Sequence, residues 1–248
     1  VRTNSESVTG ILSKDKNIDL TKGPAISSDF YVNEHTHVTQ NRLPASYWFM
    51  KLYSGPLVDG GKPFARALKV LAQFILHPLQ FILPLFTGKN WHKRATLLTV
   101  MQNLDNQMAF TWGGWPAKGL RSATASGKRA PSYIPEANEA ARIYARVGNG
   151  LPLNSMLESV MNVSVTAHIL GGCPIGADAE HGVIDSNHEV FGHPGLYVMD
   201  GSAVPANVGV NPSLTITTLA ERAASRFPAK KQKKEPRSTP RAQREKEY

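Results

Sequence analysis

The sequence predicts an α+β fold, and two observations support that prediction. Segments with strand-like and helix-like patterns follow one another without a regular strand–helix–strand alternation. The composition, 41% apolar and 19% charged residues in a chain of 248, is that of a globular protein able to bury a core. A piece of a mixed α/β fold is the alternative.

Residues 1–163 carry several local signals for strands and helices. Residues 95–112 alternate imperfectly and predict one or two strands broken near Asp105 and Asn106. Residues 113–134, rich in Gly, Ser and Pro, predict a hairpin and a loop. Residues 135–147 predict an amphipathic helix that ends at Gly148. Further short β-like runs lie at Ser7–Leu12, Ala25–Ser28 and Thr36–Thr39.

An apolar segment spans residues 69–86. It has no formal charge from Val70 to Phe86, but Pro78 and Pro84 interrupt it. Because its uninterrupted apolar pieces are shorter than the ~20 residues that cross a bilayer, a transmembrane helix is the least favoured interpretation. The alternatives are a pair of buried core helices and a mobile, membrane-contacting lid over an apolar substrate site.

The net charge of +9 is concentrated at the C-terminus. From Pro228 onward, eight Lys or Arg face three Glu, so the rest of the chain carries about +4. That surplus is too small to predict a nucleic-acid partner. Residues 229–248 are expected to be a disordered basic tail, either merely solvated or in weak contact with anionic lipid. The first residues lack a signal-peptide pattern, and we expect a cytoplasmic or peripheral-membrane location.

Cysteine and histidine usage bears on metal sites. Cys173 is the only cysteine, which excludes a disulfide within the chain, and we expect it to pack as a small buried side chain. His181, His188 and His193 cluster in a loop-like segment, but without partners at a recognised metal spacing. We therefore expect no metal site.

His168 is the first candidate functional residue. It follows the β-branched run Val163–Thr166, predicted to be a buried strand, and precedes the pair Gly171-Gly172. Paired glycines let another molecule approach the backbone closely, and a histidine can exchange protons near neutral pH. A hydrogen-bonded structural histidine is the alternative.

Two further motifs follow. Asp200-Gly201 ends a predicted strand, Gly195–Met199, and so places a carboxylate where α/β proteins bind ligands; a simple turn is the alternative. Asn211 and Pro212 predict the N-cap and first residue of a helix with Leu214 on its inner face. A helix start carries about +0.5 charge and stabilises an anion, although an ordinary capped helix would have the same sequence.

In this order the motifs resemble one family. The stretches HILGGCPIG, GVID, LYVMDGSAVP and GVNPSLTITTLAER resemble the C-terminal signature of the glucose–methanol–choline (GMC) oxidoreductases, which are FAD-dependent alcohol oxidases and dehydrogenases. The Gly-Val-Asn-Pro motif resembles the cholesterol-oxidase-like branch. The match is specific over residues 164–226 and thinner upstream, where VRTNSE resembles a mid-chain segment of the family.

The resemblance implies a role for each matching residue. His168 would accept or hydrogen-bond the substrate hydroxyl proton, and Asn211 would lie opposite the flavin. The substrate would be a sterol or another bulky apolar alcohol that gives a hydride to flavin N5. The residues implied to contact FAD are Asp200 and Gly201 along the ribityl chain, and Asn211, Pro212 and Ser213 near the ring.

One departure limits the resemblance. The chain has no G-x-G-x-x-G motif, and neither Gly113-Gly114 nor Gly171-Gly172 has that spacing. The resemblance therefore implies the C-terminal portion of a larger enzyme, without the N-terminal Rossmann unit. In it, residues 1–163 would form mainly a substrate-binding portion, and residues 164–228 would complete the FAD site. Alone, this polypeptide is expected to bind FAD poorly and to be inactive, its partner being the missing FAD-binding half.

Three points stay open at this stage. Asp105 and Glu158 are candidates, by chain region only, for the carboxylate base that such enzymes use in steroid isomerisation. A dehydrogenase that passes electrons to a quinone or carrier protein is one alternative to an oxidase. A non-catalytic subunit or membrane-associated binding module is another.

Overall fold

The computed structural model describes residues 1–88, 90–114, 118–125 and 129–227, so the predicted basic tail, 229–248, lies outside the described residues. The strands are β1 (Arg2–Thr3), β2 (Ser7–Ser13), β3 (Ile26–Asn33), β4 (Thr36–Arg42), β5 (Ser54–Pro56), β6 (Ala95–Gln102), β7 (Met108–Gly113), β8 (Gly119–Thr124), β9 (Gly150–Ser155) and β10 (Ile169–Leu170). The helices are α1 (Pro63–Leu76), α2 (Pro78–Phe81), α3 (Leu83–Thr87), α4 (Trp91–Arg94), α5 (Pro135–Val147), α6 (Met156–Met161) and α7 (Ser213–Ala224), with 3-10 helices at Ala45–Leu52 and Gly201–Ala203.

A six-stranded sheet organises the fold. Its strand order is β3-β4-β6-β2-β9-β5, and every pairing in it is antiparallel. The strands predicted near Ser7, Ala25 and Thr36 are confirmed as β2, β3 and β4. Helices pack against an antiparallel sheet, so the α+β prediction is confirmed.

The two faces of this sheet carry separate apolar clusters, because successive side chains of a strand point to opposite faces. On one face, α5 packs over Val38, Leu98 and Val100. On the other, Leu12, Ala95 and Leu153 pack with Leu43 and with Trp91 of α4. The helix predicted at residues 135–147 is confirmed as α5, with Pro135 in its first turn and Gly148 as its C-cap.

A hairpin stands apart from the large sheet. Strands β7 and β8 pair only with each other, and residues 103–107 separate β6 from β7. The predicted break near Asp105 is therefore confirmed. A hairpin is present, but it spans Met108–Thr124 instead of starting at residue 113, and residues 115–117 and 126–128 of the predicted hairpin and loop lie outside the described residues.

The apolar segment forms short helices whose apolar side chains are mostly exposed. Among the side chains described along α1, α2 and α3, only Arg66 and Val70 are buried, which makes the buried-helix-pair prediction wrong. Leu76 is 68% exposed and Leu79 is 75% exposed. Among the described residues, no single helix is long and apolar enough to span a membrane; Pro63–Leu76 with Pro78–Phe86, bent by 96°, meets the length and composition test only as a pair.

Two predicted strands are wrong. Val163–Thr166 is an irregular segment in the described structure, and the Thr166 hydroxyl at its end donates to Glu6 near the start of the chain. Gly195–Met199 forms one isolated bridge, between Tyr197 and Glu189, and no extended strand. His168 therefore precedes a two-residue strand, β10, instead of ending a longer one.

Candidate active site

The pairing of β1 with β10 joins the beginning of the chain to the glycine pair. Arg2 lies opposite Leu170 and Thr3 opposite Ile169. After β1 the backbone turns at Ser5, whose φ of 47° is in the left-handed region. The Asn106 amide holds this turn by donating to the Thr3 carbonyl at 2.8 Å and to the Ser5 hydroxyl at 2.7 Å. Residues 4–6 are thereby fixed beside His168.

Glu6 is the central acceptor of the site. Its side chain is 0% exposed, and its Oε1 lies 2.7 Å from Nδ1 of His168, whose side chain is 19% exposed. The Ala167 amide donates to Oε2 at 2.7 Å, and the Thr166 hydroxyl donates to Oε1 at 2.8 Å. Three consecutive residues therefore bond to one buried carboxyl, which replaces the strand pairing predicted for this segment.

Asn4 links His168 to the loop that carries Asn211. Its amide nitrogen donates to the Val210 carbonyl at 2.8 Å and lies 3.4 Å from Nδ1 of His168. The Asn4 amide oxygen is buried without a hydrogen-bond partner among the described residues. Asn4 thus links His168 to Val210, the residue before Asn211.

The turn at Asp200-Gly201 contacts the glycine pair Gly171-Gly172, which follows His168. The Gly171 amide donates to the Gly201 carbonyl at 3.3 Å. A side chain at Gly201 would approach Ile216 of α7 to 3.2 Å and Leu170 to 3.3 Å, so the turn, β10 and α7 meet there without room for a larger residue. The pKa of Asp200 is held below its usual value, mainly by a hydrogen bond from the Ser202 hydroxyl and also by one from the Ser202 amide.

The start of α7 differs by one residue from the prediction. Pro212 is the N-cap and Ser213 the first helical residue, so the predicted capping role of Asn211 is wrong. No side chain caps this helix and no acidic residue lies in its first turn, which leaves the positive end of the helix without a partner in the described chain. Leu214 is 79% exposed, and the helix buries Ala223 instead.

Two cavities adjoin these residues. Asn211 and Val210 line a cleft of ≈ 370 Å³ whose other wall comes from β3 and β4. A separate, almost wholly apolar pocket of ≈ 180 Å³ lies between the sheet and the 3-10 helix Ala45–Leu52. Val8 and Val165 in its wall belong to the same two segments as Glu6 and His168.

The two carboxylates considered for isomerisation occupy different surroundings. Asp105 is exposed and forms an ion pair with Arg2. Glu158 is buried and accepts hydrogen bonds from the Ser7 hydroxyl at 2.8 Å and the Val8 amide at 3.0 Å. Burial raises the pKa of Glu158 to about 7, against those hydrogen bonds and the charge of Arg66.

Cys173 and the clustered histidines His181 and His188 make hydrogen bonds within the chain. Cys173 is half-buried instead of buried, and its amide donates to the Ser202 carbonyl at 2.9 Å. Nδ1 of the buried His188 pairs with the Val198 carbonyl at 2.8 Å, and Nδ1 of the exposed His181 lies 2.6 Å from an Asp178 oxygen. Among the described residues, no three His, Cys, Asp or Glu side chains gather as a metal site would require.

Sequence analysis missed the residues that hold His168. Asn4, Glu6 and Thr166 surround it, yet Glu6 is 162 positions away along the chain. One signal was available, because an unbroken polar run from Thr3 to Ser7 next to a strand is unusual unless its side chains are bonded.

Comparison with known proteins places this site in a family. Residues 98–220, which include His168 and Asn211, match the family model described as GMC oxidoreductase. The cholesterol oxidase of Acinetobacter baumannii is 38% identical over 234 residues, which cover 93% of this chain and 41% of that protein. The cholesterol oxidase of Mycobacterium tuberculosis is 38% identical over 238 residues, with 92% and 41% coverage.

A shorter match reaches other alcohol oxidases. A long-chain-alcohol oxidase of Arabidopsis thaliana is 47% identical over 55 residues, which are 22% of this chain and 7% of that protein. The chain spans about two fifths of the length of the cholesterol oxidases it matches. Its matched domain is the C-terminal one of the family, and through it the chain belongs to the GMC oxidoreductases.

Proposed function

We propose that this chain provides the substrate-facing half of the active site of an FAD-dependent oxidoreductase that oxidises an alcohol. The observation that supports this most is the pairing of His168 with the buried Glu6, a pairing that Asn4 links to Val210, next to Asn211 in the sequence. Nδ1 of His168 is occupied by Glu6, and among the described residues no hydrogen bond reaches Nε2. That nitrogen is therefore available to take the proton of a substrate hydroxyl.

The residues that would hold FAD fit the requirements of a flavin. The start of α7 at Pro212 and Ser213, uncapped and without an acidic neighbour, suits an electron-rich ring edge, and the turn at Asp200-Gly201 would run along the ribityl chain. When bound, FAD would be the acceptor of the hydride from the carbinol carbon. His168 takes the hydroxyl proton, and Asn211 orients the alcohol from the opposite side.

A bulky apolar alcohol, such as a sterol, is the proposed substrate class. The apolar pocket of ≈ 180 Å³ shares its wall with the segments that carry Glu6 and His168. Two kinds of relative are named for apolar alcohols: the cholesterol oxidases and the long-chain-alcohol oxidase. Transfer of apolar surface from water into such a pocket favours binding in proportion to the area buried.

The test uses the protein expressed from its whole reading frame. Anaerobic bleaching of the flavin absorbance is measured after mixing with cholesterol or a long-chain alcohol. His168→Ala should slow bleaching by about 10²–10⁴-fold while the protein keeps its flavin, and Asn211→Ala should also slow it. His181→Ala, at an exposed loop position, is the matched control and should bleach at the normal rate. Normal bleaching in His168→Ala would refute the proposed role.

The isolated chain gives a second, independent test. We propose that these 248 residues hold only part of the cofactor site, since G-x-G-x-x-G is absent from them. The purified chain should show no flavin absorbance and no alcohol turnover. A yellow chain that oxidises an alcohol would contradict this, whether its electron acceptor is oxygen or a carrier.

A second proposal concerns helices α1–α3, which we infer to rest on an anionic lipid surface. Their apolar side chains are exposed, with Phe64, Leu76 and Leu79 among the most exposed. Residues 60–104 contain no Asp or Glu, whereas Lys62 and Lys69 are exposed on the same segment. Apolar side chains beside basic residues are the features by which helices bind at an anionic interface.

Vesicle sedimentation tests this contact in the whole protein. Binding should be stronger to vesicles with phosphatidylserine than to neutral ones. Leu76→Ser with Leu79→Ser should abolish binding, and Lys69→Gln should weaken it only with the anionic vesicles. The control is Val147→Ser, an exposed apolar residue at the end of α5. Wild-type protein that stays in the supernatant with both vesicle types would refute the proposal.

A further inference from the structure

The buried carboxyl of Glu6 has a chemical consequence for His168. Glu6 lies outside the matched residues 98–220, in the segment that folds back from β1. Its contact with Nδ1 is the shortest that His168 makes, at 2.7 Å, and the Asn4 amide nitrogen is farther away at 3.4 Å. The carboxyl, and not the amide, therefore determines where the ring proton lies.

The other partners of Glu6 restrict how this carboxyl can act. The Ala167 amide can only donate, and it donates to Oε2 at 2.7 Å; the Thr166 hydroxyl donates to Oε1. An ionised carboxyl accepts hydrogen bonds and donates none, so the group opposite Oε1 must be an Nδ1–H. A neutral histidine with its proton on Nδ1 has its lone pair on Nε2.

The donors around the two buried carboxyls differ. Glu158 accepts hydrogen bonds from the Ser7 hydroxyl and the Val8 amide. Glu6 accepts from the Thr166 hydroxyl and the Ala167 amide, and Nδ1 of His168 lies 2.7 Å from its Oε1. An Nδ1–H would make His168 the third donor to this carboxyl.

We propose that Glu6 is the positioning residue of the site: it holds the proton of His168 on Nδ1 and so keeps Nε2 as the acceptor for the substrate hydroxyl. Asn4 complements it by donating to the Val210 carbonyl, which fixes the spacing between His168 and Asn211. This inference rests on the proposed function, because the acceptor matters only if His168 takes that proton.

The isosteric change Glu6→Gln separates this role from simple packing. The fixed Ala167 amide draws the glutamine oxygen to itself, so the glutamine NH₂ faces Nδ1 and requires a lone pair there. The ring proton should then move to Nε2, where it blocks the acceptor. A carboxylate-to-amide change of this kind beside a catalytic histidine lowers kcat by about 10⁴ in serine proteases. Here we expect a fall in kcat of about 10²–10⁴-fold with KM nearly unchanged.

Ring nitrogen NMR measures the tautomer directly in the whole protein labelled with ¹⁵N-histidine. The His168 signals are assigned by their loss in His168→Gln. We expect Nδ1–H in the native protein and Nε2–H in Glu6→Gln, with kcat partly restored in Glu6→Asp. The control is Glu189→Gln, whose carboxyl also accepts a backbone amide, from Gly195 at 2.6 Å, but lies in another loop; it should leave the tautomer and kcat unchanged.

The outcomes distinguish this inference from the proposed function. Nε2–H in the native protein would overturn the inference without any variant having to fold. A tautomer that switches in Glu6→Gln while kcat stays normal would also overturn it, provided that His168→Ala is slow. If His168→Ala is itself as fast as the wild type, the proposed function fails, whatever the tautomer.

Discussion

The segment Thr3–Thr9 is polar but mostly buried, whereas the helices α1–α3 are apolar but mostly exposed. From Thr3 to Thr9 every residue except Val8 is buried, although nearly all are polar. Along α1–α3 the residues are apolar, yet most are exposed. Because a folded chain normally buries apolar residues and exposes charged ones, each reversal needs its own physical explanation.

The two regions differ in where their partners lie. The polar segment finds its partners within the chain, since Glu6 and Glu158 each accept hydrogen bonds from fixed donors. The apolar helices instead leave many of their large side chains exposed, among them Leu76 at 68% and Leu79 at 75%. The first region is therefore an internal site held by hydrogen bonds, and the second is an exposed apolar surface.

The largest effect on stability should come from removing Glu6. In Glu6→Ala the Ala167 amide and Nδ1 of His168 lose their acceptor in a buried place, and each such loss costs about 1–3 kcal/mol. We expect the free energy of unfolding to fall by about 3–5 kcal/mol, measured by urea denaturation. Glu180→Ala, on an exposed loop, should change it by less than about 0.5 kcal/mol. Equal effects in both variants would show that Glu6 is not held as described.

Glu158 should give stability a pH dependence that surface carboxyls do not. Its pKa is about 7 in the folded protein and near its usual 4.5 when unfolded. The folded state thus keeps a proton that the unfolded state has lost, so this contribution is fully present below pH 4.5 and is lost as pH rises through 7. From pH 4.5 to 8 the loss should be up to about 3 kcal/mol.

The matched variant for this prediction is Glu158→Gln, which cannot ionise but can still accept from Ser7 or Val8. Urea midpoints measured from pH 4.5 to 8 should fall more steeply in the wild type than in this variant. Arg66, the nearest opposite charge, remains in both proteins. Parallel curves would mean that Glu158 is not the group responsible.

The sequence predicted local structure better than it predicted the site. Helix α5 and the break between β6 and β7 were predictable, because Pro135, Gly148 and the polar residues near Asp105 are local signals. The prediction of a strand at Val163–Thr166 was wrong, and the Thr166 hydroxyl at the end of this run donates instead to Glu6, 160 residues away. Strand propensity describes a segment that fits a sheet and cannot reveal a distant carboxyl.

Partners that are distant in the sequence also limited the prediction of the candidate site and of the burial of the apolar helices. His168, Asp200 and Asn211 could be predicted as site residues because they stand in motifs, whereas Asn4 and Glu6 come beside His168 only when β1 pairs with β10. The apolar pattern of α1 predicts a helix with an apolar face, but periodicity does not state what covers that face. Only the packing of the chain decides whether the face is buried.

The smallest effect should come from polar substitutions on α1 and α2. Leu76→Ser and Leu79→Ser remove side chains that are mostly in water already, so each should change the free energy of unfolding by about 0.5 kcal/mol or less. Leu98→Ala, which truncates the same residue type in the core, should cost about 2–5 kcal/mol. Urea denaturation of the whole protein measures all three. A loss near that of Leu98→Ala would mean that the face is already covered in the folded protein, and the lipid contact proposed for it would then be excluded.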